Sequence, residues 1–308
     1  MKIYTITLNP AYDVHAYTAC FAPFHENLAC ITSREAGGKG VNLSRALQNG
    51  GTENTAVIVL GKDNCAEFKE ELDKVGLSTL LLEKPGRIRE NITLHSAEQP
   101  ETRISFSGFT VDDSLLDEVF SLLTVDANSV ITFTGRVASG MSMEKVKDFL
   151  KGLKDKGAKI VLDSKSFSVE DIWQVQPWLI KPNQEEISEY LGCEVNTMDE
   201  AVKKARIFAD HGIDNVMISL GEQGAVLLNG DKCYMAVPPI IHAVSTIGAG
   251  DSSLAGFIAA AKKGEDAAEC LKNAVTYGTA ACLTEGSLPP IAEDIAAIFA
   301  QVQIKEII

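Results

Sequence analysis

The residue types best suited to chemistry stand together in one stretch, Ser245-Thr246-Ile247-Gly248-Ala249-Gly250-Asp251-Ser252. It lies between a predicted strand, 234–241, and an apolar i, i+3, i+4, i+7 pattern that predicts a helix starting near Asp251. The first N–H groups of a helix have no partner within the helix, and upstream glycines let a ligand approach them closely. The stretch therefore predicts an anion-binding loop with a carboxylate at its rim. The alternative is that Asp251 or Ser252 only caps a helix that follows a flexible turn.

A second glycine-rich stretch, Gly37-Gly38-Lys39-Gly40, precedes another helical pattern. It is not a Walker A sequence, because Gly40 follows Lys39 where that motif has Ser or Thr, and it lacks the spacing of a dinucleotide fingerprint. One interpretation is a loop whose backbone approaches a polyhydroxy ligand, with Lys39 and Asn42 adding side-chain hydrogen bonds. The other is a helix start with incidental glycines.

The elements that must position these loops alternate between strand and helix along most of the chain. Such alternation predicts an α/β fold, a doubly wound and mostly parallel sheet flanked by helices, with ligands beyond the carboxyl ends of the strands. The pattern breaks at 91–95 and 102–106, two alternating segments joined by the polar link 96–101, which predict a hairpin. We expect one domain over residues 1–308, with a small β lid made from parts of 11–34, otherwise taken as irregular, and 87–107.

Composition narrows the class of protein. The 308 residues carry a net charge of −14, which argues against general affinity for nucleic acid or anionic membrane but leaves an anionic substrate open. Seven cysteines without C-x-x-C spacing indicate reduced thiols. Met1-Lys2-Ile3-Tyr4 begins a strand without a signal sequence, so the expected location is cytoplasmic.

Four motifs occur in an order that resembles the PfkB, or ribokinase-like, family of carbohydrate kinases. They are Asn9-Pro10-Ala11-Tyr12-Asp13, Gly37-Gly38-Lys39-Gly40-Val41-Asn42, Lys181-Pro182-Asn183-Gln184-Glu185-Glu186 and Thr246-Ile247-Gly248-Ala249-Gly250-Asp251. The first two more closely resemble its phosphosugar kinase branch, which includes 1-phosphofructokinase and tagatose-6-phosphate kinase. The resemblance spans nearly the whole chain.

The resemblance implies roles around the reacting hydroxyl. Asp251 is then the base that accepts the proton of the attacking sugar hydroxyl, and the backbone N–H groups of Gly248, Ala249 and Gly250 neutralise the transferring phosphoryl group. The residues that hold the sugar hydroxyls are then Asp13, Gly38, Lys39 and Asn42.

A sugar that already carries a phosphate needs a cationic clamp, to which the planar guanidinium of arginine is suited. Arg89, at the base of the lid, matches the family's phosphate-binding position, and Arg103 in the facing strand is expected to assist. The alternative for both is an ordinary solvated arginine. Arg34 and Lys39 are expected to add to the same positive field.

The resemblance also implies a nucleotide site for ATP with Mg²⁺. Asn183 and Glu186 resemble the family's N-x-x-E element, with Glu186 acting on the metal through water. Ser219, Gly221 and Gly224 are then close to ribose or phosphate, or else form only a tight turn between two strands. Asn273 is a further candidate near adenine.

One loop departs from the family. Thr134-Gly135-Arg136-Val137-Ala138 stands where the family often has Ser-Gly-Ser-x-Pro. The leading hypothesis is an ATP-dependent kinase that acts on fructose 1-phosphate, with tagatose 6-phosphate as the alternative substrate. An alternative from another class is a catalytically weak regulator that binds sugar phosphate. A homodimer formed through the lid is a further expectation.

Overall fold

The computed structural model describes residues 1–97, 99 and 101–307. The chain forms two sheets, one of ten strands and one of four. The strands are β1 Lys2–Thr7, β2 Ala11–Thr18, β3 Cys30–Gly37, β4 Thr55–Gly61, β5 Thr79–Lys84, β6 Arg89–Ser96, β7 Thr102–Ser105, β8 Ser129–Thr134, β9 Lys159–Asp163, β10 Leu179–Ile180, β11 Asn215–Ser219, β12 Ala225–Asn229, β13 Lys232–Val237 and β14 Gln303–Glu306. The helices are α1 Lys39–Asn49, α2 Ala66–Lys74, α3 Ser114–Leu122, α4 Met143–Asp155, α5 Val169–Val175, α6 Gln184–Leu191, α7 Met198–Ala209, α8 Ala249–Lys263, α9 Ala267–Ala281 and α10 Ala292–Phe299.

The ten-stranded sheet runs in the order β14-β13-β12-β11-β10-β9-β8-β1-β4-β5. Its strands from β11 to β5 pair in parallel, and β12, β13 and β14 continue it antiparallel. The chain goes from β1 to β4 on one side and later returns to β8 on the other side of β1. This reversal next to β1 is the kind of switch point where doubly wound sheets bind ligands.

Helices cover both faces of this sheet, as the predicted α/β class requires. One apolar core lies beneath α3, α4, α5, α6 and α7, and another lies beneath α1, α8, α9 and α10. The central strands are buried on both faces; β4 and β8, for example, are buried along nearly their whole length. This is the burial expected of a parallel sheet between two helical layers.

The four-stranded sheet has the order β3-β2-β6-β7 and lies against α2 through a third apolar core. The hairpin of β6 and β7 is antiparallel, with Asn91 opposite Ser105 and Leu94 opposite Thr102. The link predicted at 96–101 includes residues 98 and 100, which lie outside the described residues. We call this sheet the lid sheet.

The expectation that 11–34 is irregular was wrong. Residues 11–18 and 30–37 are the strands β2 and β3, and β2 pairs with β3 on one side and β6 on the other. Tyr12 and Val14 face the apolar core, and Asp13 and His15 alternate with them on the other face of β2. This alternation is the pattern of a half-buried strand, so the signal for β2 was present in the sequence.

Smaller corrections concern element ends. The strand predicted at 234–241 ends at Val237, because Pro238 and Pro239 have no N–H to continue the ladder. The helix predicted near Asp251 already begins at Ala249. The edge strands β5 and β14 were not predicted. No helix in the described part of the chain combines the length and apolarity needed to span a bilayer.

Candidate active site

The sequence motifs meet where β10, β9, β8 and β1 end, beside the reversal of strand order. Asp163 is the last residue of β9, Lys181 directly follows β10, and Lys39 is the first residue of α1. Because β9 and β10 are parallel neighbours, their carboxyl ends bring Asp163 and Lys181 to the same end of the sheet. Lys39 reaches this place from α1, which follows β3 of the lid sheet.

Asp251 lies in the first turn of α8 and is buried, with 7% of its surface exposed. Gly248 precedes the helix in a left-handed conformation, with φ of 77°, which favours glycine. Within the described residues no side chain caps this end of α8. The N–H of Ala249 donates to the carbonyl of Thr246 at 3.4 Å, whereas those of Gly248 and Gly250 have no partner among the described residues and remain available to a ligand. The amide of Asn42 donates to Asp251 Oδ2 at 3.3 Å, which connects α1 with α8.

Two lysines flank a buried aspartate next to Asp251. Lys39 Nζ donates to Asp163 Oδ1 at 2.9 Å, and Lys181 Nζ lies 3.6 Å from Asp163 Oδ2. A Cβ atom placed on Gly250 would lie 3.3 Å from Lys181 Nζ, so this lysine reaches the start of α8. Asp163 therefore holds two cations beside the proposed anion-binding loop.

Burial and neighbouring charges set the ionisation of these groups. Burial raises the pKa of Asp251 to about 7, although Lys39 opposes the shift. For Asp163, burial acts in the same direction, but Lys181 and Lys39 outweigh it and lower the pKa. Burial disfavours the charged form of Lys39, but Asp163 and Asp251 outweigh it, and its pKa is raised. Asp251 is thus a carboxyl group able to exchange a proton near neutral pH.

Asp13, on β2 of the lid sheet, lies at the other end of the site. Asn91 Nδ2 donates to Asp13 Oδ1 at 2.9 Å, and burial raises the pKa of Asp13. A Cβ atom on Gly37 would lie 2.1 Å from Asp13 Oδ2, so the glycine loop passes directly against this carboxylate. Gly38 has φ of 116° and lies against Pro10, as the tight path of the loop requires.

Arg89, the first residue of β6, is half-buried near Asp13. Its Nη1 donates to Asn91 Oδ1 at 2.7 Å and to the carbonyl of Phe106 at 3.3 Å, and its Nη2 is 3.5 Å from the carbonyl of Asn9. Its Nε is buried without a hydrogen-bond partner among the described residues. Burial lowers the pKa of Arg89 against the attraction of Asp13. The side chain is therefore fixed, and the Nε donor and the second N–H of Nη2 have no partner among the described residues.

The other two arginines considered from the sequence have partners outside this cluster. Arg103 pairs with Glu101 at 2.8 Å, and its side chain is half-exposed. Arg34 stacks over the ring of Tyr12, 3.5 Å from its centroid, and pairs with Glu67. The expectation that Arg34 adds to the field at the site is weakened by this pairing.

The elements expected to hold the nucleotide adjoin each other. Asn183 caps α6 in a reciprocal capping box with Glu186, and it also forms an isolated bridge with Ser219. A turn follows Ser219, in which Gly221 and Gly224 have φ of 56° and 100°. A Cβ atom on Gly224 would lie 2.0 Å from the carbonyl of Ala236, so the fold itself requires glycine at this position.

Asn273 lies on α9, which packs against α8, β12 and β13. Its amide donates to the carbonyl of Glu269 at 2.8 Å within its own helix. Among the described residues, no hydrogen bond joins it to the Ser219–Gly224 turn. Its predicted role near adenine therefore depends on a bound nucleotide.

Sequence reasoning gave no role to Asp163, Lys181 or Asn91. Lys181 belongs to one of the four motifs. The strand predicted at 159–162 stops one residue short of Asp163, so an acidic residue at the carboxyl end of a parallel strand was the available signal. A small cavity at the ends of β9 and β10 is lined by Asp163, Lys181, Glu186 and Tyr190. Through this cavity, Asp163 and Lys181 adjoin α6.

Comparison with known proteins adds independent findings. Residues 13–294 match the model of the pfkB family carbohydrate kinases. The chain is 32% identical over 259 residues to a protein of Escherichia coli (strain K12) named 1-phosphofructokinase, covering 83% of each chain. It is 29% identical over 287 residues to a protein of the same name from Bacillus subtilis (strain 168), covering 92% of this chain and 93% of that one.

A similar structure is the crystal structure of phosphofructokinase-2 from Escherichia coli in complex with potassium. It has a TM-score of 0.90 and 25% sequence identity, covering 97% of this chain and 98% of that one. The similarity in fold therefore extends over almost the whole chain.

Proposed function

Because the chain belongs to the pfkB family of carbohydrate kinases, we propose that it is an ATP-dependent 1-phosphofructokinase. The reaction transfers the γ-phosphoryl group of ATP to the C6 hydroxyl of fructose 1-phosphate and releases fructose 1,6-bisphosphate and ADP. One observation carries the proposal: a buried Asp251 at the uncapped start of α8, next to Lys39 and 3.3 Å from Asn42. The names of the two relatives support the choice of substrate.

In this proposal, Asp251 accepts the proton of the sugar hydroxyl as that oxygen attacks phosphorus. A base whose pKa lies near the working pH combines an ionised resting form with enough basicity to take the proton. The pKa of about 7 for Asp251 meets this requirement. Asn42 holds the carboxylate in place through its amide.

The start of α8 stabilises the phosphoryl group during transfer. Phosphoryl transfer depends mainly on positioning and on stabilising negative charge. The backbone N–H groups of Gly248, Ala249 and Gly250 serve as donors, each worth roughly 3 kcal/mol in a site that excludes water. Lys181 adds positive charge beside Gly250.

The sugar phosphate lies between the glycine loop and the lid sheet. Asp13, Gly38, Lys39 and Asn42 bind its hydroxyls. Arg89 binds the phosphate that the sugar already carries, because a guanidinium fixed by Asn91 and Asn9 retains N–H donors that match phosphate oxygens. Arg103 assists in binding this phosphate only after its ion pair with Glu101 is broken.

ATP is the co-substrate, and we assign its phosphates and ribose to the region of Asn183, Ser219, Gly221 and Gly224, with Asn273 nearer the base. Among the described residues no group of three or more His, Cys, Asp or Glu side chains is arranged to hold a metal.

Glu186 accepts an N–H bond from Asn183 with one oxygen, and its other oxygen lies 3.9 Å from Lys165. These residues fit a Mg²⁺ ion held mainly by phosphates and water, with Glu186 facing its water shell. When bound, the ion neutralises charge on the phosphates.

The lid sheet covers the sugar side of the site through Asp13, Asn91 and Arg89. We propose that it closes over bound substrate, which excludes water and limits wasteful hydrolysis of ATP. Its exposed apolar side chains support a homodimer formed through the lid sheet.

Turnover of a substrate panel tests this function. ADP release is measured with fructose 1-phosphate, tagatose 6-phosphate, fructose 6-phosphate and fructose, each with ATP and MgCl₂. The proposal expects the highest kcat/KM with fructose 1-phosphate. A preference for tagatose 6-phosphate would replace the substrate but retain the chemistry, and binding without turnover of any sugar would favour a regulator.

A further inference from the structure

Arg136 lies in the loop that departs from the family motif, two residues after the end of β8. The loop is held on both sides of it. Gly135 N donates to the carbonyl of Asp163 at 3.1 Å, and Val137 N donates to Ser166 Oγ at 3.1 Å. Gly135 also has φ of 83°, and a Cβ atom there would lie 3.8 Å from Cβ of Lys39. The backbone of Arg136 is therefore fixed beside the start of α1.

Arg89, the first residue of β6 in the lid sheet, contacts the same end of the ten-stranded sheet. β1 and β8 are paired neighbours, with Ile6 opposite Phe133, and Asn9 just after β1 accepts a hydrogen bond from Arg89. The loop after β8 thus lies next to the segment that holds Arg89. The charge of Arg136 contributes to lowering the pKa of Arg89, after burial and against Asp13, as two nearby guanidinium groups require.

Arg136 is exposed and makes neither a salt bridge nor a side-chain hydrogen bond with the described residues. Within the strands of the lid sheet, Arg34 pairs with Glu67, and Arg103 pairs with Glu101. Arg87, just before β6, is exposed like Arg136 and has no side-chain partner among the described residues, so it serves as the comparison below. Arg89 and Arg136 are two neighbouring cations with one nearby carboxylate, that of Asp13. They repel each other unless an anion lies between them. No salt bridge or side-chain hydrogen bond of Arg136 with the described residues accounts for this arrangement.

We propose that Arg136 is the second guanidinium of the phosphate clamp, binding together with Arg89 the phosphate monoester that the sugar substrate already carries. This inference rests on the proposed phosphosugar kinase function and deepens it. The second serine of the Ser-Gly-Ser-x-Pro motif, which the family often has at this position, would offer one hydrogen bond through its hydroxyl. The guanidinium of Arg136 offers a bidentate, charge-assisted contact. Arg136 is thus a specificity-determining residue that favours the doubly charged phosphate over a neutral hydroxymethyl group.

Replacing Arg136 with serine tests the proposal. R136S removes the guanidinium and leaves a hydroxyl. R87S is the matched control, because Arg87 is also exposed, lies two residues from Arg89 in sequence, and gives the same change in net charge. Steady-state kinetics are measured with fructose 1-phosphate and ATP, and calorimetry measures the Kd of fructose 1-phosphate without nucleotide. Thermal melting checks that both variants fold.

Loss of a charge-assisted hydrogen bond pair predicts that R136S raises both KM and Kd for fructose 1-phosphate by about tenfold or more. KM for ATP and kcat are expected to stay within about threefold of the wild type, and R87S is expected to change all four constants by about twofold or less. Equal changes in KM and Kd for fructose 1-phosphate in R136S and R87S would overturn the role of Arg136.

The failure of the proposed function has a different signature. If the wild type turns over no phosphosugar, the kinase proposal fails, and Arg136 is judged by calorimetry alone. In that case, the clamp is supported if R136S raises the Kd of the wild type about tenfold and R87S leaves it unchanged. Absence of binding in the wild type overturns it.

Discussion

At the scale of single residues, the site depends on one carboxylate whose ionisation the fold has shifted. Burial raises the pKa of Asp251 to about 7, and the neighbouring Asp163 is kept ionised by Lys181 and Lys39. Two buried aspartates close together therefore have different protonation behaviour because only one of them has lysines in direct contact. Such separation of pKa values is typical of groups with different catalytic roles.

If Asp251 is the base, Asp251→Asn removes proton acceptance but retains a side chain of the same shape. We expect kcat to fall by about 10²- to 10⁴-fold, the usual contribution of a general base. The Kd of fructose 1-phosphate, measured by calorimetry, is expected to change by about threefold or less. An unchanged kcat would assign the proton to another group.

The pKa of Asp251 also predicts the acidic limb of the pH profile. Because the ionised form accepts the proton, kcat/KM for fructose 1-phosphate is expected to fall about tenfold per pH unit below about pH 7. A phosphate monoester takes up its own proton near pH 6, and this effect appears in the Kd of the sugar as well. A profile that stays flat down to pH 6 would contradict the assignment.

The same shift has a consequence for stability. The pKa of Asp251 is higher in the folded protein than its ordinary value, so the folded state binds more protons than the unfolded state between these two pKa values. The free energy of unfolding therefore falls as pH rises from about 4 through about 7.

Asp251→Asn lacks this ionisation and is expected to gain stability relative to the wild type as pH rises, by at most about 4 kcal/mol at pH 8. Urea titrations at pH 5 and pH 8 measure the gap, which is the difference in the free energy of unfolding between Asp251→Asn and the wild type. A gap that narrows toward pH 8 would show that Asp251 is not desolvated in the folded protein.

At the scale of elements, the start of α8 is held in place by its contact with α9. Gly256, in the middle of α8, approaches α9 so closely that an added Cβ would lie 2.3 Å from the carbonyl of Asn273 and 2.9 Å from the ring of Tyr277. The absence of a side chain at Gly256 lets the two helices meet, and α8 in turn carries Asp251 to the site.

A pair of glycine substitutions separates this packing from helix propensity. Gly256→Ala is expected to destabilise the protein by about 1 to 3 kcal/mol, the usual cost of overpacking. Gly152→Ala, in the middle of α4, places its Cβ at an ordinary 3.4 Å from Phe120 and is expected to stabilise by about 0.5 to 1 kcal/mol. Urea denaturation measures both, and a stabilised Gly256→Ala would remove the packing argument.

The elements also show how far the sequence predicts the fold. α8 and its glycine loop follow from local spacing, because capping and helix periodicity are properties of adjacent residues. The pairing of Lys39 with Asp163 does not, since 124 positions separate them and only the strand order brings them together. β2 is a different case: Tyr12, Val14 and Ala16 alternate with polar residues, so its local signal was present, and only its pairing with β6, where Asp13 lies opposite Asn91, depends on distant sequence.

At the scale of the whole molecule, charge is distributed unevenly. The chain carries a net charge of −14, yet Lys39, Lys181, Arg89 and Arg136 gather around the ends of four neighbouring strands. A local cationic cluster on an acidic protein attracts small anions and leaves the remaining surface repellent to nucleic acid. This distribution suits two phosphorylated substrates in one cleft.

The lid sheet carries the clearest sign of association. Exposed large apolar side chains in it and its loops include Tyr17, Phe24, Leu28, Ile31, Ile104 and Phe106. The register puts Ile31 opposite Ala16, and Ile104 opposite Ile92, which pairs with Val14, so both isoleucines lie on one face of the sheet. Apolar residues grouped in this way are typical of a surface that another chain covers.

We therefore expect the wild type to sediment at about twice the chain mass of 33.1 kDa, and the double substitution of Ile31 and Ile104 with Asp to sediment as a monomer. Two buried carboxylates on the shared face would cost more than the apolar contact contributes. Substituting Val75 and Leu122 with Asp is the control, because these are also exposed apolar residues but lie outside the lid sheet. A wild type that sediments as a monomer at micromolar concentration would contradict the dimer.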